Sequence, residues 1–441
     1  MRPGGALALT LGPESLAEGP AVRGAPRQPG SRFGGQTAKM SRAERSRREG
    51  RPVLGRWRSV ERALALLVVA GVAAAAAGCA ATTRRDLALA DDQQAPRAGV
   101  VHVRWRTEIH PRALFQAQPA ECASGAVAGD RLVIGSRAAS VVGVRLVDGH
   151  IDWSTKVSGG VDSAARYDAA RGQVFLGADD GSFYALDASG GRIRFSYTAK
   201  GAVERAPEIG GDTVYFASAS DRVIALDATT GKWRWQYERE TPDGFTIHGY
   251  SAPTLHGSQI MAGFADGYLV ALQAATGEVV WAKSLASTSD QFVDVDSTPI
   301  ISGGTVFASS YSGGVYGLDE KDGAVKWRLP TEGAGQLSLL GNNLFFAAPR
   351  QGLHAVSKSG QILWRQGLAE AGDLTAPLAV GRFLVFSGSR GGLFVVDARD
   401  GDLLEVFNPG DGICASATLD PATGQLYVLS NGGTLYALDV G

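Results

Sequence analysis

Hydrophobic and polar residues alternate along most of the chain after residue 100, which is the pattern of strands that bury one face. Residues 206–238 show the repeating unit: APEI, a Gly-Gly-Asp turn, TVYFAS, DRVIALD, the turn ATTG, and KWRWQY. No segment of this region shows a sustained helical period. Because short strands joined by tight turns pair with their neighbours in the antiparallel sense, the unit is predicted to be a four-stranded meander.

The same unit recurs along the chain, in fragments such as SFYALDASGGRIRF (182–195), YLVALQAATGEVVW (268–281) and GVYGLDEKDGAVKW (314–327). In most copies a turn glycine lies four residues before an aromatic residue. Four-stranded units with a period of about 42 residues are typical of a β-propeller. We therefore predict that residues 101–441 are all-β and form an eight-bladed propeller of four-stranded antiparallel blades. The turn glycines stand at 149, 191, 231, 277, 323, 360 and 401.

The last copy, which ends in TLYALD (434–439), has three strands, whereas VHVRWRTEI (101–109) is a fourth strand without a blade of its own. The N-terminal strand is therefore predicted to pair with the last blade and close the ring, which removes an exposed sheet edge. Since the aromatic residue recurs once per blade, it is predicted to pack between blades rather than to stack on a ligand. Phe195 and Glu405 are the exceptions to the tryptophan rule. The predicted blade-packing residues are Trp105, Trp153, Trp235, Trp281, Trp327 and Trp364.

The N-terminal region differs from the repeats. Residues 1–62 are rich in Arg, Gly and Pro, and the apolar run ALALLVVAGVAAAAAGC (63–79) follows them, as in a signal peptide. The end of this run is similar to the lipobox of bacterial lipoproteins, so Cys79 is predicted to be lipidated after removal of residues 1–78. Residues 79–100 would then be a flexible tether. An ordinary signal peptide with a chance cysteine is the alternative, and Met40 is predicted to be the true start.

Removal of residues 1–78 takes away 13 Lys+Arg and 5 Asp+Glu, which leaves 43 − 13 = 30 basic and 44 − 5 = 39 acidic residues, a net charge of −9. An acidic chain is not suited to nucleic acid, whose binding relies on clustered Lys and Arg. No Cys/His cluster has the spacing of a metal site. The histidines at 110, 150, 256 and 354 are predicted to be loop or surface residues.

Besides Cys79, the chain has two cysteines, Cys122 and Cys414. They open the first strands of the first and the eighth predicted blade, in CASGAV and CASATL, and these blades are neighbours in a closed ring. We predict a disulfide between them in an oxidising compartment. Two buried thiols are the alternative.

The consensus ALDxxTGxxxW resembles the repeat of quinoprotein dehydrogenases, which bind pyrroloquinoline quinone in an eight-bladed propeller. Those enzymes carry a vicinal cysteine pair, and no two cysteines are adjacent in this chain. We therefore expect a protein without catalytic activity or cofactor. Two other stretches, HGYSAPTLHGSQIMAGFADGYLVAL (248–272) and DVDSTPIISGGTVFASSYSGGVYGLD (294–319), resemble the BamB family of propeller lipoproteins.

The resemblance to the BamB family implies a scaffold subunit of the machinery that inserts β-barrel proteins into the outer membrane. Such a subunit would be anchored by lipid at the periplasmic face of that membrane, as a monomer within a hetero-complex. Its partners would be the POTRA domains of the barrel subunit and nascent outer-membrane proteins. The residues implied in docking are Phe245, Ile247 and His248 in one loop, and Asp294 and Asp296 in the equivalent loop of the next blade.

These docking residues leave alternatives open. Asp294 and Asp296 are two positions apart, so in an extended segment both carboxylates would point the same way. By themselves they are typical of a solvated loop, and the family favours an arginine where this chain has His248. A propeller that binds cell-wall polymer or acts as a sensor is the alternative function, followed by a quinoprotein dehydrogenase.

Overall fold

The computed structural model describes residues 99–109, 119–240, 250–286, 292–348, 351–368 and 371–441. They belong to one compact unit, residues 81–441. Within them, 32 strands form eight four-stranded antiparallel sheets, and no helix is present among the described residues. The prediction of an eight-bladed β-propeller is therefore confirmed.

Each blade is a meander whose first strand lies nearest the axis, because the first strands of neighbouring blades contact each other. Blades 1 to 4 consist, in order, of β2 (Ala126–Ala128), β3 (Arg131–Ser136), β4 (Ser140–Arg145) and β5 (Ile151–Lys156); β6 (Arg166–Asp168), β7 (Gln173–Gly177), β8 (Ser182–Asp187) and β9 (Ile193–Thr198); β10 (Glu208–Gly210), β11 (Thr213–Ser218), β12 (Arg222–Asp227) and β13 (Trp233–Glu238); and β14 (Thr254–His256), β15 (Gln259–Gly263), β16 (Tyr268–Gln273) and β17 (Val279–Ser284).

Blades 5 to 7 follow the same order, and blade 8 takes its fourth strand from the N-terminal end of the described chain. They consist of β18 (Ile300–Ser302), β19 (Thr305–Ser310), β20 (Gly314–Asp319) and β21 (Val325–Leu329); β22 (Leu337–Leu340), β23 (Asn343–Ala348), β24 (Gly352–Ser357) and β25 (Ile362–Gln366); β26 (Leu378–Val380), β27 (Phe383–Gly388), β28 (Gly392–Asp397) and β29 (Leu403–Phe407); and β30 (Thr418–Leu419), β31 (Leu426–Leu429), β32 (Thr434–Val440) and β1 (Val101–Glu108).

The core lies between blades, so the middle strands are buried on both faces. Phe183 of blade 2 stacks on Phe216 of blade 3 with ring centroids 4.1 Å apart, and neither ring is exposed to solvent. Burying one such side chain stabilises the fold by about 1.5–3 kcal/mol. His354 is also fully buried in β24, stacked on Phe346, so the prediction that it is a loop or surface residue is wrong. His150 and His256 are exposed.

The turn glycine and the fourth-strand aromatic residue form one contact between consecutive blades. Gly277 has a φ of +76°, and a Cβ atom added there would lie 2.6 Å from the Trp235 ring of the preceding blade. The Trp235 indole N–H donates to the Ala274 carbonyl at 3.0 Å, which fixes the ring against that turn. Any residue other than glycine is therefore disfavoured at position 277 for two reasons, the positive φ angle and the contact of its Cβ atom with the Trp235 ring.

This contact recurs around the ring, because a β-bulge in each fourth strand turns the aromatic side chain towards the next blade. The indoles of Trp105, Trp281, Trp327 and Trp364 donate to carbonyls of the next blade's turn, and a Cβ atom at Gly191 would meet the Trp153 ring. Phe195 fills the same place against Gly231 without a donor.

The ring closes between blades 8 and 1. Strand β1 pairs antiparallel with β32, from Val101 opposite Val440 to Glu108 opposite Thr434, as predicted. A disulfide joins Cys122 to Cys414 with their Cα atoms 5.0 Å apart, and it links the inner segments of these two blades.

Glu405 has a specific role at this closure. It occupies the tryptophan position of blade 7, but in the neighbouring blade 8 no turn joins the third strand, β32, to the fourth strand, β1, because the two strands are far apart in sequence. The Glu405 carboxylate instead accepts the backbone N–H groups of Val100 and Val101, at 2.6 and 3.0 Å. The exception in the repeat is thus the residue that holds the start of the N-terminal strand.

Candidate functional site

One face of the ring carries both the crossovers that join consecutive blades and the loops between second and third strands. Antiparallel order places these two kinds of connection together, whereas the glycine turns lie on the opposite face. We call the first face the crossover face. The segment with Asp294 and Asp296 belongs to one of its crossovers.

The crossover into blade 5, residues 292–297, is fixed by hydrogen bonds to the second strand of its own blade and the loop that follows. Tyr311 N–H donates to the Asp294 carbonyl at 3.2 Å, and Ser309 N–H donates to the Ser297 hydroxyl at 2.6 Å. Gln336 of blade 6 donates to the Asp296 carbonyl at 2.6 Å. These contacts place the segment on a defined path from the rim towards the axis.

The two aspartates of this segment have different surroundings. The Asp294 side chain is buried, whereas Asp296 is half-buried. An extended segment would place both carboxylates on one side, and the two side chains nevertheless differ in exposure, because the crossover packs against different parts of blades 5 and 6 at these two positions. Asp294 still shapes the segment and adds negative charge beside Asp296.

The electrostatics of Asp296 are set by burial and by neighbouring charges. Burial raises the pKa of Asp296; the positive charge of Arg205 opposes this rise and the charge of Asp294 adds to it. Its Oδ1 atom is shielded from solvent and has no hydrogen-bond partner among the described residues. A buried oxygen without a hydrogen-bond donor is costly, which sets Asp296 apart from a solvated surface carboxylate.

The other docking residues, Phe245, Ile247 and His248, lie outside the described residues, as do Cys79 and Met40. The first described residue after that loop is Tyr250, which is buried. Its hydroxyl accepts the Glu204 N–H at 3.0 Å, and burial raises the pKa of Tyr250 to about 12. Tyr250 thus joins the crossover into blade 4 to the crossover into blade 3.

Sequence reasoning missed a group of charged residues on the crossover face of blades 1 and 2. Glu121 is buried and accepts the Ser136 hydroxyl at 2.9 Å and the Arg137 N–H at 2.8 Å. The Arg137 side chain pairs with Asp162 at 2.7 Å. Burial raises the pKa of Asp162 to about 6; Arg137 opposes this rise, and the charge of Glu121 adds to it. The sequence did contain a positional signal, since Glu121 and Asp162 each lie just before a first strand, as Asp296 does.

The described residues contain no group of three or more His, Cys, Asp or Glu arranged to hold a metal ion. None of the described segments forms a helix long and apolar enough to span a membrane.

A comparison with models of protein families identifies the family to which this chain is similar. The family described as "Outer membrane protein assembly factor BamB" matches residues 102–186, 164–359 and 349–441, which together span the whole propeller. The chain belongs to the BamB family. Its relatives include the BamB of Legionella pneumophila, 32% identical over 114 residues, and that of Shewanella oneidensis, 30% identical over 90 residues.

These alignments are partial: they cover 26% and 20% of this chain, and only 29% and 22% of the two BamB relatives. The fold is similar to that of BamB from Moraxella catarrhalis, with a TM-score of 0.67 and 21% identity, over 77% of this chain and all of that one. The quinohemoprotein alcohol dehydrogenase of Comamonas testosteroni shares the fold at a TM-score of 0.61 and 14% identity, over 78% of this chain and 77% of the enzyme.

Proposed function

We propose that this protein is a scaffold subunit of the machinery that assembles β-barrel proteins in the outer membrane. The observation that carries the proposal is the family match across the whole propeller, together with "outer membrane protein assembly factor" as the name of its relatives. In this proposal it binds no cofactor and catalyses no reaction; it holds the POTRA domains of the barrel subunit and aids insertion of nascent barrels.

The crossover face of blades 4 and 5 is the proposed docking surface. Asp296 supplies an acceptor near the axis, Asp294 sets the path and charge of its segment, and Phe245, Ile247 and His248 supply the neighbouring loop. Interface energy concentrates in a few such residues, and truncation of one costs about 1–4 kcal/mol. Rim charges would contribute less and would weaken with salt.

Isothermal titration calorimetry with purified POTRA domains tests this surface. Asp294→Ala with Asp296→Ala, or Ile247→Ala alone, should weaken binding by roughly tenfold or more. The matched control is Asp179→Ala with Asp180→Ala, which removes two exposed carboxylates from the crossover face of blade 2. Equal affinity for the wild type and the first two variants would show that the docking surface lies elsewhere.

We also propose that lipid on Cys79 anchors the protein at the periplasmic face of the outer membrane. Residues 80–100 would reach on the order of 70 Å if fully extended. Cys79→Ser should move the protein into the soluble periplasmic fraction. Retention of this variant in the membrane pellet would place the anchor elsewhere.

A further inference from the structure

Two aromatic side chains are exposed next to each other on the crossover face of blade 5. Phe292 is 39% exposed and Tyr311 is 37% exposed, and their ring centroids lie 5.9 Å apart with an interplanar angle of 55°. Phe292 begins the described part of the crossover, and Tyr311 lies in the loop between the second and third strands. Because large rings are costly to leave in water, a paired and exposed set points to a contact surface.

The backbone under Phe292 is held in an unusual conformation. Its φ is +54°, in the left-handed region that disfavours a bulky side chain. The Ser312 N–H donates to the Phe292 carbonyl at 3.0 Å, and Tyr311 N–H donates to the Asp294 carbonyl, so the surrounding loop enforces this conformation. Backbone strain of this kind clusters at binding and switching sites, and here it turns the ring towards Tyr311.

The charge around the aromatic pair is mainly negative. Asp294 and Asp296 follow Phe292 on the same crossover. Glu332 is exposed, and the next residue, Gly333, donates its N–H to the Tyr311 carbonyl at 2.8 Å. Two cations lie nearby, and both are engaged by other groups. Arg205, whose charge acts on Asp296, lies over the Tyr250 ring and donates to the Tyr250 carbonyl. Arg328 donates to the Gly313 carbonyl at 2.7 Å and lies over the Tyr316 ring of its own blade. The pair is thus an apolar surface beside acidic groups.

The propeller shows elsewhere what such an arrangement binds. On the crossover face of blades 3 and 4, Arg239 lies 4.1 Å from the Tyr268 ring centroid while its Nε donates to Asp266 at 2.5 Å. Arg205 lies over Tyr250 in the same way at 5.6 Å. Among the described residues, no arginine or lysine covers Phe292 or Tyr311.

We infer that Phe292 and Tyr311 form the seat for an arginine side chain of the docked partner, with its guanidinium over the rings and its donors towards the Asp294–Asp296 crossover. The inference rests on the proposed function and adds the partner chemistry of that surface. Arginine fits better than lysine because its planar, weakly hydrated guanidinium stacks on rings and carries five donors.

The test uses the chain with Cys79→Ser and two substitutions that remove the rings. Phe292→Gly keeps a residue that accepts the left-handed backbone, and Tyr311→Ala removes the second ring. Trp233→Ala is the control, since Trp233 is also exposed, at 55%, but lies at the start of the outer strand of blade 3. Thermal unfolding of all variants checks that the fold is retained.

Calorimetry with POTRA domains should show the double variant binding roughly tenfold more weakly or worse, and Trp233→Ala unchanged. If the wild type and the double variant bind equally, the seat is refuted and the docking proposal stands. If the POTRA domains do not bind the wild type, the docking proposal fails, and the peptide acetyl-Gly-Arg-Arg-Gly-amide decides by saturation-transfer NMR. The matched peptide with lysine in place of both arginines is the control. A saturation-transfer signal from the arginine peptide with the wild type, absent with the double variant and absent for the lysine peptide, supports the seat. Any other result overturns it.

Discussion

Removal of the Cys122–Cys414 disulfide should lower the thermal stability of the propeller substantially. The perturbation is the double substitution Cys122→Ser with Cys414→Ser, in a chain that also carries Cys79→Ser so that no thiol remains. The two cysteines are 292 positions apart in sequence, so their bond closes nearly the whole ring into one covalent loop. A cross-link of this kind acts mainly by restricting the unfolded chain.

The magnitude follows from the size of that loop. The chain-entropy relation gives about 5–6 kcal/mol at 25 °C for a loop of this length, and it is an upper value because unfolded chains keep residual structure. An unfolding entropy of roughly 2.1 cal/mol/K per residue over about 340 residues gives ~0.7 kcal/mol/K. The expected decrease in Tm is therefore about 4–8 °C.

Differential scanning calorimetry measures this decrease directly. Dithiothreitol should shift the Tm of the oxidised chain by a similar amount and should leave the serine variant unchanged, which controls for effects of the substitutions themselves. A serine variant that melts within about 1 °C of the oxidised chain would refute the reasoning. Ring closure would then depend on the β1–β32 pairing alone.

Three further predictions concern single residues. Gly277→Ala should cost about 2–4 kcal/mol in chemical denaturation, because it combines backbone strain with the clash on Trp235, whereas Gly257→Ala, with a similar φ and nothing within 4 Å, should cost about 1 kcal/mol. Glu405→Ala should raise hydrogen exchange at the Val100 and Val101 amides, since it removes two charge-assisted bonds of about 1.5–3 kcal/mol each, and unchanged exchange would contradict this role. Asp162 has a folded pKa of about 6, above its usual value of 3.8, so its protonated form stabilises the fold below pH 4 and this contribution is lost as pH rises to 6. Wild-type unfolding free energy should therefore lose roughly 2–3 kcal/mol over that interval relative to Asp162→Asn, and parallel pH curves would refute the assignment.

The architecture was predictable because it depends on local repetition. Strand alternation, the glycine period and the tryptophan four residues later are all properties of short segments, and each blade buries its face in the same way. The closing strand followed from counting, since one fourth strand was missing at the end and one was spare at residues 101–109. Cys122 and Cys414 could be paired because they occupy equivalent positions in adjacent blades.

The remaining features depend on contacts that the repeat does not encode. Asp294 lies in a crossover, where the two-residue alternation of a strand no longer decides which side chains are buried. His354 lies in a third strand that is covered on both faces by neighbouring blades, so a polar residue there is not a sign of exposure. Glu405 looked like a defect in the repeat, and its meaning depends on two amides 305 and 304 positions away.

The two hydrogen bonds that Glu405 accepts from Val100 and Val101 also determine how the propeller would carry mechanical load. A force applied to the chain from its N-terminal side first acts on Val100 and Val101, whose amides donate to the Glu405 carboxylate. It then acts on the hydrogen bonds of the β1–β32 ladder. If that ladder peels, the force passes to Cys122 and crosses the disulfide to Cys414 in the neighbouring blade. The seven blades between the two cysteines then lie outside the path of tension. Strand β1 can therefore detach and pair again with β32 while the other seven blades stay folded.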